Sequence, residues 1–250
     1  MKIVINPKYE ALRADIERMP AEGVRPTHTF CNHRNLVAVC PLGDLRVVVK
    51  RYKRPTLANC VIYTLFRKNK AQRAYENARR LLSEDIPTPE PIAYIVERRY
   101  GFVHTCWFVS EYLPWPTLGH LDQTLASPQA RTSLWQSYMQ LAHEMHRRHM
   151  LLRDNNSGNY LVSPDQPGRF ALVDINRLQF GRRPSKHDLV IFFQQLGLPL
   201  ERIMDYLPLY ADYTPAWLDD FRRRFRRFER WRSLKHDVKH WAKRVFLGKK

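Results

Sequence analysis

The hydrophobic and polar positions in the first half of the chain predict strands that flank a single helix. Between residues 68 and 84, apolar residues recur at steps of three and four, which is typical of an amphipathic helix. The prolines Pro87, Pro89 and Pro91 end this helix. Four stretches rich in β-branched or aromatic residues predict strands: Leu36–Val39, Leu45–Val49, Ile92–Val96 and Cys106–Val109. The predicted order is therefore strand, strand, helix, strand, strand.

Beyond residues 112–116, whose prolines predict a linker, the pattern becomes mainly helical. Ser133–His149 carries one apolar stripe, and the residues after Asp188 also have helical spacing. Short strands are predicted at Tyr160–Val162 and Phe170–Val173. The chain is thus expected to form an α+β fold with a sheet-rich first lobe and a helix-rich second lobe. The expected divisions are a first lobe at 1–112, a second lobe at 113–215 and a C-terminal helix at 216–250.

The composition is that of a folded chain, with 44% hydrophobic and 12% aromatic residues among 250. Its four cysteines lie far apart and form neither a zinc motif nor a dithiol motif, so we expect reduced thiols. The apolar patch Ile3–Ile5 is too short for a signal peptide. No apolar run approaches the roughly 20 residues of a membrane-spanning helix. We therefore expect a cytoplasmic protein, unless its surface attaches it to a membrane.

Positive charge is concentrated at the C-terminus. The formal net charge is +18, and residues 221–250 alone contain thirteen Lys and Arg against two acids. Apolar residues recur among them every three or four positions, which predicts a basic amphipathic helix. Three explanations remain open: packing on the second lobe, contact with an anionic membrane, or binding of nucleic acid, for which no recognisable module is present. The basic residues proposed to face a membrane are Arg222, Arg223, Arg226, Arg227, Arg230, Lys235, Lys239 and Lys243.

The clearest chemical pattern follows the long helix of the second lobe. In the segment 153–159 (Arg-Asp-Asn-Asn-Ser-Gly-Asn), Asp154 is followed five residues later by Asn159. Protein kinases use this spacing for an Asp that accepts the proton of the acceptor hydroxyl and an Asn that binds Mg²⁺. Asp174 ends a predicted strand fifteen residues after Asn159. That position suits the metal ion that bridges the β- and γ-phosphates of ATP.

Three further candidates precede these residues. Lys50 closes an apolar strand and could reach the α- and β-phosphates, while Glu76 on the following helix could pair with Lys50. The end of the last strand of the first lobe would bind the nucleotide at Glu111 and Leu113, where backbone groups contact adenine. Because all these candidates occur in the order that kinases use, we expect a two-lobed protein-kinase-like fold that binds ATP and Mg²⁺.

Several segments resemble the bacterial Kdo/lipopolysaccharide kinase family. They are Val48–Tyr52, Asn69–Ala78, Ile86–Tyr94 and Val173–Arg177, and the last reads Val-Asp-Ile-Asn-Arg where protein kinases have Asp-Phe-Gly. The resemblance covers about residues 30–200. It implies ATP-dependent phosphorylation of a sugar hydroxyl, on Kdo or an inner-core heptose of lipid A-linked lipopolysaccharide. It also implies a peripheral location on the cytoplasmic face of the inner membrane.

Some positions depart from the usual pattern. Leu152 replaces the histidine that usually precedes Arg-Asp, and Asn155 replaces an apolar residue. Residues 31–35 contain no glycine-rich loop, so backbone amides or Arg34 would have to cover the phosphates. These changes leave open a catalytically inactive kinase-fold protein that binds membranes. The chain also has no Ala-Pro-Glu triplet and only 76 residues after Asp174, which favours a glycan or small-molecule acceptor over a protein.

Overall fold

The computed structural model describes residues 1–33, 35–211 and 213–247. The chain divides into two compact units. The first contains Met1–Leu118 and Asn159–Leu178, and the second contains Gly119–Gly158 and Gln179–Lys250. One boundary therefore falls inside the segment 153–159, between the predicted catalytic acid and the predicted metal-binding asparagine.

The first unit is built on a six-stranded antiparallel sheet. Its strands are β1 (Lys2–Ile5), β2 (His28–Asn32), β3 (Asn35–Leu42), β4 (Leu45–Tyr52), β5 (Pro91–Arg99) and β6 (Phe102–Glu111). In space their order is β1-β5-β6-β4-β3-β2, and every neighbouring pair is antiparallel. The helices of this unit are α1 (Arg13–Glu22), α2 (Leu57–Leu65) and α3 (Lys70–Ser83). The four strands and the helix α3 that the sequence predicts are confirmed.

Alternation along β4 divides its side chains between two cores. Val49 is fully buried on one face of the sheet, in a cluster with Ile16 of α1. Tyr52 is buried in a second cluster, which includes Ala71 of α3. Because successive strand residues point to opposite faces, Lys50 shares the face of Tyr52, against which α3 packs.

The chain returns to the first unit as a short antiparallel hairpin of β8 (Tyr160–Val162) and β9 (Phe170–Leu172). The segment that follows α3 holds this hairpin. The Thr88 hydroxyl donates a hydrogen bond of 2.7 Å to the Leu172 carbonyl, and the Leu172 N–H donates one of 2.9 Å to the Pro87 carbonyl. The prolines that end α3 are therefore part of the support for the chain that leads to Asp174.

The second unit is mainly helical. Its elements are α4 (Leu118–Thr124), α5 (Pro128–Arg147), β7 (Met150–Leu152), β10 (Leu178–Phe180), α6 (Lys186–Gln194), α7 (Leu200–Tyr210) and α8 (Pro215–Leu247), of which α4 and β10 each begin with the last residue of a first-unit segment. Asp122 connects three of the helices. Its Oδ1 accepts hydrogen bonds from the Trp135 indole at 2.7 Å and from the Arg202 guanidinium at 2.5 Å.

The long C-terminal helix α8 changes character along its length. Phe221 and Phe225 are fully buried, whereas Trp231, Leu234 and Val238 are each more than half exposed. Packing within the unit thus accounts for the first turns of the predicted amphipathic helix, whereas Trp231, Leu234 and Val238 face solvent. The side chains of Lys239 and Lys243 lie outside the part of the chain that the structure describes. Among the described helices, none is both long enough and apolar enough to cross a bilayer.

Four strands and two α-helices were not predicted from the sequence: β1, β2, α1 and α2 in the first part of the chain, and β7 and β10 later. β1 is a strand of four residues, and all five residues of β2 are exposed, so neither has the alternating pattern of a half-buried strand. The helix α1 contains Pro20, which normally indicates a helix end.

A histidine is buried inside the second unit. His146 of α5 is 3% exposed, and its Nδ1 lies 2.6 Å from the Tyr210 hydroxyl. Its Nε2 has no hydrogen-bond partner among the described residues. Burial, and to a lesser extent the charge of His143, lowers the pKa of His146 to about 3. The folded protein therefore holds this imidazole neutral.

We predict that His146→Gln makes stability less dependent on pH. A histidine with a lowered pKa in the folded state takes up its proton preferentially in the unfolded chain. The free energy of unfolding therefore falls as the pH drops from about 6.5 towards about 3, by up to about 1.4 kcal/mol per pH unit. Urea denaturation at several pH values in this window measures the effect. The exposed His33 provides a control, His33→Gln, and an unchanged pH dependence in His146→Gln would contradict the assignment.

Candidate active site

Lys50 and Asp174 form an ion pair within the first unit. The Lys50 Nζ lies 2.5 Å from the Asp174 Oδ1, and the two side chains are 12% and 36% exposed. The same Nζ lies 5.5 Å from the ring centroid of Tyr52, its neighbour on that face of β4. Two candidates that are far apart in the sequence, one for the phosphates and one for the metal, are thus in direct contact.

The loop that carries Asp174 has an unusual backbone. Asp174 has φ 54° and ψ 41°, a left-handed conformation that is rare for residues other than glycine, and a 3₁₀ turn follows it. The Asn176 amide donates to the Asp174 Oδ1 at 2.5 Å, and the Asn77 amide of α3 donates to the Ile175 carbonyl at 2.7 Å. A sparsely populated conformation persists only where its surroundings fix it, and these two asparagines supply such contacts.

Asn159 lies beside the same loop. Its carbonyl accepts a hydrogen bond of 2.9 Å from the N–H of Val173, the residue that precedes Asp174. An Asp carboxylate and an Asn amide oxygen are ligands that suit Mg²⁺, which completes its shell with water and substrate phosphates. The donor set therefore fits a nucleotide-bound Mg²⁺. Within the described ranges no group of three or more His, Cys, Asp or Glu residues could hold a metal ion without such help.

Glu76 does not form the predicted ion pair with Lys50. Its carboxylate accepts hydrogen bonds from Lys68 at 2.7 Å and from Gln72 at 3.0 Å. The fully buried Ala71 and Ala78 define the inner face of α3, and Glu76 is only half-buried. The contact with Lys50 is made by Asp174 instead.

The predicted adenine-binding segment ends β6. The Glu111 carboxylate accepts a hydrogen bond of 2.5 Å from the Tyr9 hydroxyl and lies 3.6 Å from Lys8. Burial, together with the nearby Glu111, raises the pKa of Tyr9. The Glu111 side chain therefore anchors the N-terminal segment. Leu113 is half-buried, and its backbone has no hydrogen-bond partner in the described chain.

The predicted catalytic acid Asp154 lies in the second unit, in the loop after β7. Gln195, at the end of α6, contacts the peptide groups on both sides of it. Its Oε1 accepts from the Asn155 N–H at 2.8 Å, and its Nε2 donates to the Arg153 carbonyl at 3.1 Å. One side chain thus fixes the backbone that carries the candidate base.

Asn155 and Leu152, the two departures from the kinase pattern, are both fully buried in this unit. The Asn155 amide accepts a hydrogen bond from the Tyr138 hydroxyl at 2.9 Å and donates one to the Phe192 carbonyl at 2.8 Å. A buried polar side chain is tolerated when such partners satisfy it. A third departure is the missing glycine-rich loop at residues 31–35, where Arg34 was a candidate to cover the phosphates; Arg34 lies outside the described residues.

Arg153, which precedes the candidate base, is anchored by the buried Asp188. Its guanidinium donates to the Asp188 Oδ1 at 2.7 Å, while Oδ2 accepts from Arg182 at 2.7 Å. Burial alone would raise the pKa of Asp188, but hydrogen bonds from Ser185, Arg182 and Arg153 hold it well below its usual value. The carboxylate is therefore ionised at neutral pH and orients both arginines.

Similarity to solved structures defines the class of protein. A structure described as WaaP in complex with acyl carrier protein matches with a TM-score of 0.61 and 16% identity, over 95% of this chain and 99% of that chain. The bifunctional kinase-methyltransferase WbdD matches with a TM-score of 0.45 and 12% identity, over 82% of this chain and 47% of that chain, and this weaker likeness carries no conclusion. The predicted α+β, protein-kinase-like fold is confirmed, and the chain is a kinase-fold protein.

The sequence profile of the lipopolysaccharide kinase (Kdo/WaaP) family matches residues 43–196, and the chain belongs to this family. The matched region contains the candidates Lys50, Asp154, Asn159 and Asp174. Membership supports a phosphotransferase of lipopolysaccharide biosynthesis, and it implies the use of ATP. No curated protein is similar enough to count as a match.

Sequence reasoning missed three residues that support the site: Asn77, Asn176 and Gln195. The first two lie within the segments that resemble the family, so the resemblance could have identified them. No local signal could have identified Gln195, since it is 40 residues from Asn155 and only the tertiary structure brings the two together.

We predict that Asn155→Ala destabilises the second unit by about 2–4 kcal/mol. The substitution removes one hydrogen bond from the Tyr138 hydroxyl and one from the Phe192 carbonyl in a buried place, where the loss of a polar partner costs about 1–3 kcal/mol. Urea denaturation followed by tryptophan fluorescence measures the loss. The exposed neighbour provides a control, Asn156→Ala, which should change stability far less. Equal losses in the two variants would show that the buried network is not stabilising.

Proposed function

We propose that this protein is an ATP-dependent kinase that phosphorylates a sugar hydroxyl, on Kdo or an inner-core heptose, of lipid A-linked lipopolysaccharide. The observation that carries the proposal is the contact between Lys50 and Asp174 with Asn159 beside them, in a chain of the lipopolysaccharide kinase family. These are the residue types that hold phosphates and Mg²⁺ in kinases. The sugar acceptor follows from the family alone.

In this proposal the first unit binds Mg-ATP. Lys50 contacts the α- and β-phosphates, and Asp174 and Asn159 provide oxygen ligands for Mg²⁺, which would neutralise charge on the transferred phosphate. The Lys50 ammonium is paired with the Asp174 carboxylate in this structure. When the nucleotide binds, the Lys50 side chain shifts from Asp174 towards the phosphates. The backbone of Glu111 and Leu113 is assigned to adenine, while Glu76 remains a candidate only through the family pattern.

The second unit supplies the proposed base. Asp154 accepts the proton of the sugar hydroxyl as the oxygen attacks the γ-phosphorus. Such a base must be held within about 0.5 Å of its productive position by supporting contacts. Gln195 and the ion pair of Arg153 with Asp188 provide such contacts on the two sides of the loop.

A catalytically inactive kinase-fold binding protein is the alternative. One observation favours it: Lys50 lacks the Glu76 partner that positions this lysine in active kinases. The retained acid, asparagine and metal-binding aspartate favour catalysis. Mg-ATP binding without any phosphate transfer to lipopolysaccharide would support the alternative.

We predict that Asp154→Asn abolishes phosphate transfer while Mg-ATP still binds, because Asp154 acts on the acceptor. Asp174→Asn should instead weaken Mg-ATP binding at least tenfold, because it removes a charged metal ligand. Transfer is measured with labelled ATP and Kdo-bearing lipid A, and the phosphate is located by mass spectrometry. Nucleotide binding is measured by calorimetry. Asp165→Asn, at an exposed position, is the matched control. Near wild-type turnover in Asp154→Asn would remove it from the mechanism.

We further propose that the exposed part of α8 holds the enzyme on the anionic inner membrane. Trp231, Leu234 and Val238 are exposed together on this helix. Of the basic residues predicted to face a membrane, the structure describes these as exposed: Arg222, Arg223, Arg226, Arg227, Arg230 and Lys235. Exposed apolar residues among basic ones are the pattern of a helix that lies in the membrane interface. Each basic residue near an anionic leaflet contributes about 1 kcal/mol.

We predict that removing residues 235–250 lowers binding to vesicles that contain phosphatidylglycerol more than it lowers stability. Four basic residues at the surface would contribute roughly a thousandfold in partitioning. Co-sedimentation at low and high salt measures binding, which should weaken as salt screens the charges.

Two further results complete this experiment. The double variant Trp231→Gln with Leu234→Gln keeps every charge and should weaken binding through lost insertion, whereas Phe102→Gln, exposed in the first unit, should not. Unchanged binding after truncation would place the membrane contact elsewhere. A truncated chain that does not fold would show that this end of α8 is part of the core.

A further inference from the structure

A cavity of about 440 Å³ opens in the second unit. Its wall is formed by the end of α5, the loop before α6, the end of α7 and the start of α8. None of the seven residues predicted to act on the nucleotide, the metal or the acceptor lines it. Its volume lies within the range of small-molecule sites in proteins, roughly 300–1,000 Å³.

Basic side chains dominate the wall of this cavity. Three histidines, two arginines and one lysine line it: His143, His146, Arg147, His149, Arg183 and Lys186. No Asp or Glu of the described chain is among the lining residues. The wall therefore offers several hydrogen-bond donors and positive charge to whatever enters.

The nearby carboxylates are too few to neutralise these cations. Glu144 is shared by two arginines, and Asp220 by one lysine and two arginines. Arg183 has no carboxylate partner within the described ranges. Burial raises the pKa of both Tyr210 and Tyr213. The positive charge of Arg183, which lies near both tyrosines, opposes that rise.

Aromatic and unsatisfied polar groups complete the wall. Tyr213 stacks on Trp217 with ring centroids 3.4 Å apart, and the Lys186 Nζ lies 5.3 Å from the Trp217 ring centroid. The buried His146 bonds the Tyr210 hydroxyl through Nδ1, but its Nε2 lacks a partner among the described residues. A buried nitrogen without a partner is unfavourable, and a polar ligand in the cavity is one way to satisfy it.

We propose that this cavity is a binding site for a small organic molecule that carries a phosphate group. Arg183 is the principal phosphate contact. No carboxylate among the described residues pairs with its guanidinium, which can therefore form two parallel hydrogen bonds with phosphate oxygens. The stacked pair of Tyr213 and Trp217 provides an apolar wall for the organic part. A single phosphate ion would leave most of the cavity empty. The proposal is independent of the kinase function, since it rests on binding alone.

Calorimetry with the full-length chain tests this site. The probes are glucose 6-phosphate, the soluble short-chain lipid dioctanoyl phosphatidylinositol 4-phosphate, inorganic phosphate and glucose. We expect saturable binding of at least one organic phosphate, at least tenfold tighter than inorganic phosphate, and no binding of glucose. The tighter of the two organic phosphates identifies the source as a phosphosugar or as a lipid headgroup.

Two variants of equal charge distinguish the cavity from general attraction. Arg183→Gln should weaken binding of the organic phosphate at least tenfold, whereas Arg99→Gln, exposed at the end of β5 and not in the wall, should not change it. Arg183→Lys retains the positive charge but lacks the two parallel N–H donors of the guanidinium, so it should also weaken binding. Circular dichroism verifies folding. The proposal is overturned by equal effects of Arg183→Gln and Arg99→Gln, by inorganic phosphate binding as tightly as the organic probes, or by no saturable binding.

Discussion

The ion pair of Lys50 with Asp174 is the interaction on which the first unit's arrangement depends. An ammonium group that is largely withdrawn from water is costly unless a carboxylate and hydrogen bonds compensate it. The centre of the sheet supplies the lysine, and the β8–β9 hairpin supplies the acid. Together with the hydrogen bonds of Thr88 to Leu172 and of Asn77 to Ile175, this pair holds Asn159–Leu178 in the first unit, although its neighbours in sequence belong to the helical unit. The residues that would hold Mg-ATP therefore fold as one body, and the candidate base belongs to the other.

The sequence predicts those elements of the fold in which the spacing of apolar residues along the chain indicates which side chains are buried. The strands were predictable because they are rich in the β-branched and aromatic residues that pack into the cores on both faces of the sheet, and α3 because its one apolar stripe is buried. Long-range pairing was not predictable, and Glu76 illustrates the reason. Glu76 is a suitable acid on the predicted helix, but its carboxylate forms an ion pair with Lys68, and Lys50 forms its ion pair with Asp174. The spacing of Asp154 and Asn159 predicts their candidate roles, but it does not predict that Gln195 contacts the loop between them. That residue takes part only because α6 ends beside the loop.

The same limit applies to the C-terminal helix. Its apolar residues keep one period from Phe221 to Val238, so the sequence alone cannot distinguish a packed stripe from an exposed one. The distinction depends on where neighbouring helices end. Phe221 stacks near Trp217 and Phe193, with ring centroids 5.4 and 6.2 Å away, whereas Trp231 is left 53% exposed. The first part of α8 therefore packs in the second unit, and its later part exposes apolar residues among basic ones.

The departures from the kinase pattern are better understood as a set than singly. A buried asparagine in place of an apolar residue would by itself suggest a damaged catalytic loop. The amide of Asn155 is hydrogen-bonded to the Tyr138 hydroxyl and the Phe192 carbonyl. Its backbone N–H donates to the side chain of Gln195. A half-satisfied polar network is worse than an apolar core, so such a group is stable only when all its members are present. The network therefore stabilises the loop that carries Asp154, in place of the apolar contact that the usual residue would make.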